Sequence, residues 1–163
     1  LDDLLVRVIG GMYSGTYKEA VPYVGDNSIT TFQYRVQLAF SGGTTTAGFV
    51  GLAFRCDNFS SSSVETTESM VGYYLEVGQY SVALYKCLYG DSICLGSKNF
   101  ATSTNEFVEY QIQMDGNSIR ITCDGTNLFN LVDQFAFSSG HLGFCANNVN
   151  ANIRNIKVSA IQH

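Results

Sequence analysis

The sequence predicts an all-β fold, a two-sheet antiparallel jelly-roll sandwich, and three observations carry that prediction. Glycine and turn-forming residues cut the 163 residues into about ten short runs, the spacing of a sandwich. Where a run is long enough to read, apolar and polar residues alternate with the period of two that a half-buried strand requires. No segment sustains a 3.6-residue period over three turns, so helix is confined to one turn near Asp133–Phe137. At ~150 residues per domain the length corresponds to one domain over residues 1–163.

The elements follow in order. Leu4–Ile9 is the first run, closed by Gly10-Gly11, and Pro22 punctuates the segment after it. Thr31–Phe40 places Phe32, Tyr34, Val36, Leu38 and Phe40 on one face and Gln33, Arg35 and Gln37 on the other. AGFVGLAFRC comes next, then the low-complexity loop DNFSSSSVETTES from Asp57 to Ser69. GYYLEVG and SVALYKC, separated by Gly78-Gln79-Tyr80, form a hairpin, and ICLGSKNF follows. EFVEYQIQMDGNSIRITCDG holds two strands joined at Asp115-Gly116-Asn117, a good tight-turn sequence. Val108, Tyr110, Ile112 and Met114 share one face there, with Ile119, Ile121 and Cys123 on the next strand. Asn127–Val132, HLGFCA and NIRNIKVSA complete the set.

Composition narrows the function classes. Charged residues are only 14% and the net charge is −5, with Lys and Arg scattered, so there is no nucleic-acid footprint. No apolar run approaches the ~18 residues of a membrane-spanning helix, so no membrane insertion is expected. Two histidines, no CxxC and no HExxH leave a zinc site without ligands. Abundant Ser, Thr and Asn match an extracellular, secreted β-domain, and Asn58-Phe59-Ser60 is a glycosylation sequon. Cys87 and Cys94 flank LYGDSI symmetrically, which places them across a hairpin as a disulfide. The alternative is a pair of half-buried thiols. Cys123, in phase with Ile119 and Ile121, is expected on the core face as a thiol.

Tyr74 and Glu76 fall on one face of their strand, setting a phenol beside a carboxylate. Sugar recognition needs that mixture, a ring over C–H faces and a fixed acceptor for hydroxyls. Tyr85 lies one strand further out. The order of GLAFR, GYYLEV, the long hairpin, SSGHLGFCANN and ANIRNIKVSA resembles the concanavalin A-like (laminin G-like) jelly roll. Within it, the likeness is to carbohydrate-binding modules of the kind appended to levanases, over residues 30–160. The resemblance implies a ligand held on the inner face of the curved sheet and its rim loops. Arg55 and Glu76 match positions that contribute there, with Asp57, Asn58, His141, Asn147 and Asn148 near the rim. It also implies that GLAFRC and GHLGFC are neighbours, which would bring Cys56 and Cys145 within bridging distance. Two features depart from the family: there is no tryptophan, and Asn155 stands where many members place a calcium-holding Asp. Calcium is therefore unsupported.

Catalysis is not expected. The acid pairs Glu65/Glu68 and Glu106/Glu109 do not fall on runs that read as sheet centres, and no Gly-x-Ser-x-Gly elbow exists. The reading is a non-catalytic, lectin-like carbohydrate-binding module. The alternative is a structural or adhesive domain docking onto an extracellular protein partner.

Overall fold

The computed structural model describes residues 7–16, 20–23, 31–40, 48–57, 71–89, 91–102, 106–137, 141–147 and 150–160. They form twelve strands: β1 (Arg7–Thr16), β2 (Ala20–Tyr23), β3 (Phe32–Phe40), β4 (Phe49–Asp57), β5 (Val71–Gly78), β6 (Ser81–Leu88), β7 (Asp91–Asn99), β8 (Val108–Asp115), β9 (Ser118–Cys123), β10 (Thr126–Val132), β11 (His141–Asn147) and β12 (Asn150–Ala160). Two six-stranded antiparallel sheets result, β1-β12-β3-β8-β9-β10 and β2-β11-β4-β5-β6-β7. This is the jelly-roll sandwich the alternation predicts, with the first and last strands paired through Arg7↔Val158 and its neighbours.

The period-two faces meet between the sheets. Phe32, Tyr34, Val36, Leu38 and Phe40 of β3 are all buried, as are Tyr110, Ile112 and Met114 of β8, while Leu52, Phe54, Leu75 and Leu84 oppose them from the second sheet. Removing that apolar surface from water, at ~25 cal/mol per Å², is the main force joining the layers. Polar ties cross the core as well: the Tyr34 hydroxyl donates to Gly143 O at 3.0 Å, and the Tyr110 and Thr102 hydroxyls share a 2.7 Å bond. Asp124 and Gly125, at φ 48° and 83°, make the tight turn that their sequence suggests.

Every edge strand is interrupted. β1 shifts register between Ile9 and Met12, so Gly10-Gly11 bulges within the strand instead of closing it. β2 is four residues long and contains Pro22. Proline lacks a ladder donor, so this segment does not look like a strand in the sequence, and it pairs here because it is an edge. β7 carries an extra residue, Leu95, between Gly96↔Leu84 and Cys94↔Tyr85, and β10 shifts register between Asn127 and Phe129. The single helical turn expected near Asp133–Phe137 is a non-helical turn in which Phe135 N donates to Asp133 Oδ1 at 3.1 Å.

Neither expected disulfide is present. The β6–β7 hairpin closes between Leu88 and Asp91, so Cys87 lies opposite Ser92 and Cys94 opposite Tyr85. That closure is tighter than the symmetric one, and it leaves the two cysteines diagonal, where Cα atoms are ~7–8 Å apart and beyond bridging range. Cys87 is buried and Cys94 exposed, its thiol donating to Gly96 O at 3.4 Å. β4 and β11 are neighbours as the resemblance implies, but Cys145 pairs with Gly51 and Cys56 with His141. Five strand residues separate the two cysteines along the ladder, about 16 Å. Cys123 is a buried core thiol as expected, pushed up to about 12 by desolvation.

Candidate functional site

The second sheet turns one face to the core and the other outward, and the outward face brings together three of the sequence-predicted residues, Tyr74, Glu76 and Tyr85. Register builds two rows across it. One runs Gly143, Ala53, Tyr74, Tyr85, Cys94; the next runs Gly51, Glu76, Ala83, Ser97. Tyr74, Glu76 and Tyr85 therefore stand together, as their alternation requires.

Small residues create the relief. A Cβ at Gly51 would collide with the Tyr74 hydroxyl and ring, so the phenol lies flat over that glycine and is 6% exposed. Phe49 meets Tyr74 edge-on at 6.1 Å, and Ala53, Cys56, Cys87 and Tyr85 complete a small apolar cluster on this outer face. Gly72 serves the same packing: at φ 148° it lets the Cys56 Cα lie where a Cβ would be only 2.6 Å away. Cys56 was in phase with the core residues Leu52 and Phe54. Arg55, at φ 45° in a register shift between Phe54 and Asp57, turns it to the outer side.

Glu76 stands between Gly51 and Ala83, whose side chains cannot cover it. Its carboxyl is half-buried and raised by desolvation, and among the described residues it has no hydrogen-bond or ion-pair partner. Tyr85, its diagonal neighbour, is raised by desolvation and then by the Glu76 and Cys94 charges. No Lys or Arg falls on either row. Glu76 is the one carboxylate among the described side chains of this face, so the face offers an acceptor beside a half-exposed phenol.

The other predicted residues lie elsewhere. Arg55 turns across the end of the sandwich, where Nη1 donates to Gly116 O at 2.8 Å and Phe137 O at 2.6 Å. Burial lowers its pKa, while Tyr73 and Asp115 oppose that shift. Asp57 ends β4, and His141 and Asn147 stand at opposite ends of β11. Asn58, Asn148 and the loop of residues 58–70 lie outside the described residues, as do Glu65 and Glu68.

A latch that sequence reasoning misses closes the Arg55 end. Lys86 Nζ meets Asp133 Oδ2 at 2.7 Å, donates to Phe135 O at 2.7 Å, and sits 5.0 Å from the Phe137 ring centroid. Its partners lie about fifty residues away, and only the parity of Lys86 with Val82 and Leu84 hinted at an inward position. Among the described residues no three His, Cys, Asp or Glu side chains converge as a metal site. Asn155, at φ 51°, donates its amide to Gln37 Oε1 at 2.8 Å.

The fold is a concanavalin A-like jelly roll. Among solved structures it is similar to the carbohydrate-binding module CBM66 from Bacillus subtilis, at 18% identity and TM-score 0.67, covering 93% of this chain and 97% of that one. It is also similar to the VIP36 exoplasmic/lumenal domain in its Ca2+/Man3GlcNAc-bound form (9% identity, TM-score 0.74, 98% and 84% covered). The Emp46p carbohydrate recognition domain in metal-free form gives 12% identity and TM-score 0.72, with 95% and 88% covered. No protein-family model and no curated protein sequence matches the chain.

Proposed function

We propose that the protein is a non-catalytic, lectin-like module that binds a neutral saccharide on the outer face of the second sheet. The observation that carries this reading is Glu76, a half-buried carboxylate without a partner among the described residues, set between Gly51 and Ala83 and beside Tyr85. A desolvated carboxylate is costly unless something donates to it, and sugar hydroxyls are donors of the right kind. Tyr85 covers a C–H face, and Tyr74 holds the floor rigid. With no cation on the rows, an anionic sugar would be repelled. Support also comes from the solved neighbours, whose descriptions include a carbohydrate-binding module and a mannose-oligosaccharide complex. A secreted location is supported by the composition alone, since the disulfides that also argued for it are not formed among the described residues.

A glycan array followed by titration calorimetry tests the reading. Glu76→Ala and Tyr85→Ala should each weaken a neutral-glycan signal at least tenfold, about 1.4 kcal/mol. Unchanged affinity in both variants would remove this face from consideration.

A second reading, docking onto a protein partner, is favoured by exposed Leu88, Tyr89 and Ile93 on the β6–β7 hairpin with Phe135 beside Lys86. Such a patch is the kind of surface that protein interfaces bury. Silence on glycans together with a defined complex abolished by Ile93→Asp would favour it.

A further inference from the structure

The outer face of the first sheet differs chemically from that of the second. Register lays rows across it: Gln33, Gln113, Arg120, Asn130 in one, and Lys157, Arg35, Gln111, Thr122 in the next. Between β8 and β9 runs an open groove of about 330 Å³, lined by Glu109, Gln111, Gln113, Arg120, Thr122 and the Asp124 turn, without one apolar side chain.

Its charges are arranged against themselves. Arg35 and Lys157 are directly opposed on adjacent strands, a like-charge pair that costs stability unless an anion joins it. Among the described residues neither has an ion-pair partner, and the enclosed Arg35 Nε has no hydrogen-bond partner among them either. Arg120, exposed on the far side of β8, also lacks an ion pair. The two acids of the groove lie at its other end, where Asp124 Oδ1 is occupied by Glu109 N at 2.8 Å. Four of the nine Lys and Arg residues of an otherwise acidic chain (Arg35, Arg120, Arg154 and Lys157) fall on this one face.

We propose that this groove, together with the Arg35–Lys157 pair beside it, is a second binding site, separate from the Glu76 face, for an acidic saccharide that sets one sulfate or carboxylate group on Arg35 and Lys157 and another on Arg120 inside the groove. The guanidinium of Arg35 presents a planar fork to such a group. Carboxamides at Gln111 and Gln113, each both donor and acceptor, take the hydroxyls of the chain. A protein ligand fits poorly, because protein interfaces centre on apolar anchors and the groove has none. The net charge of −5 works against unspecific attraction of a polyanion, so retention would have to come from this local patch.

Fluorescently labelled dextran sulfate oligosaccharide, with unsulfated dextran of the same length as control, tests the proposal on the intact protein by anisotropy. The sulfated probe should bind, weaken as salt screens the charges, and lose at least tenfold affinity in Arg35→Gln/Lys157→Gln and in Arg120→Gln. Binding should persist in Glu76→Gln, which separates this site from the neutral-glycan face. Melting curves matching the wild type guard against misfolded variants. Absent binding, equal binding of unsulfated and sulfated dextran in Glu76→Gln, or affinity insensitive to all three cations would overturn the proposal.

Discussion

The Tyr73 hydroxyl donates to Asp133 Oδ2 at 2.6 Å, across sixty residues of chain, and so pins the segment leaving β10 against the second sheet. Desolvation alone would raise the Asp133 carboxyl. Donation from Lys86, Tyr73 and the Phe135 amide outweighs it and holds the group below its ordinary 3.8. An acid depressed in the fold contributes stability above its unfolded value and loses it as pH falls through the folded one. Tyr73→Phe should therefore be about 1–2 kcal/mol less stable at neutral pH. The deficit should shrink below pH 3.8, which thermal melts between neutral and acidic pH would show.

Arg55 joins β4 to the β8–β9 turn at Gly116 and to Phe137 through a single nitrogen. Arg55→Ala leaves both carbonyls without that charged donor, and a loss of about 3 kcal/mol is expected. Arg55→Lys should recover only part, because an ammonium on a shorter stem lacks the planar reach. Urea denaturation of the two variants measures the difference.

Glu76 behaves in the opposite sense to Asp133. Its carboxyl is raised by desolvation from an ordinary 4.5, so the folded state binds the proton more readily than the unfolded chain. The charge opposes folding at neutral pH, and that penalty is relieved as pH falls through the raised value toward 4.5. Glu76→Gln should raise the melting temperature at pH 7 while weakening neutral-glycan binding. The stability gain should fade in acid. A variant that loses both stability and binding would contradict the view of an uncompensated carboxylate.

Gly51→Ala tests the floor of the face. The added methyl meets the Tyr74 ring, which must move away, and overpacking of this kind costs about 1–3 kcal/mol. Saccharide affinity should fall with it, since Tyr74 supports Tyr85 directly across the strand pair.

The cysteines differ in accessibility. Cys94 is exposed, whereas Cys56, Cys87 and Cys123 are buried. Among these four, iodoacetamide should label Cys94 first in the native protein and the other three only on unfolding, as peptide mass mapping would show. Desolvation raises the Cys87 thiol further, slowing it again.

The pairing of faces was readable wherever period two ran unbroken. In β3 the alternate Phe32–Phe40 set is buried and Gln33, Arg35 and Gln37 face out, and Tyr74 and Glu76 share a face for the same reason. The reading failed where one residue broke the period. Arg55 at φ 45° reverses the phase of Cys56, and a two-residue shift in hairpin closure separates Cys87 from Cys94. Both depend on backbone geometry that the side-chain pattern does not encode. Lys86 illustrates a different limit: its parity pointed inward, but the acid that makes this tolerable is supplied by Asp133, far along the chain. The cationic row on the first sheet was visible only in part, since Arg35 belonged to a recognised polar face while its opposition to Lys157 required the β3–β12 register.

The interrupted edges carry a consequence for how densely such a protein can be packed. An uninterrupted outer strand is a template on which another chain can crystallise its backbone, and the risk grows with local concentration. Here the Gly10-Gly11 bulge, Pro22, Leu95 and the β10 shift each spoil one of the four templates. Many copies can then be held side by side on a polymer or a surface without fusing into one continuous ribbon. On the proposed saccharide face, weak binding by each copy would then add through avidity.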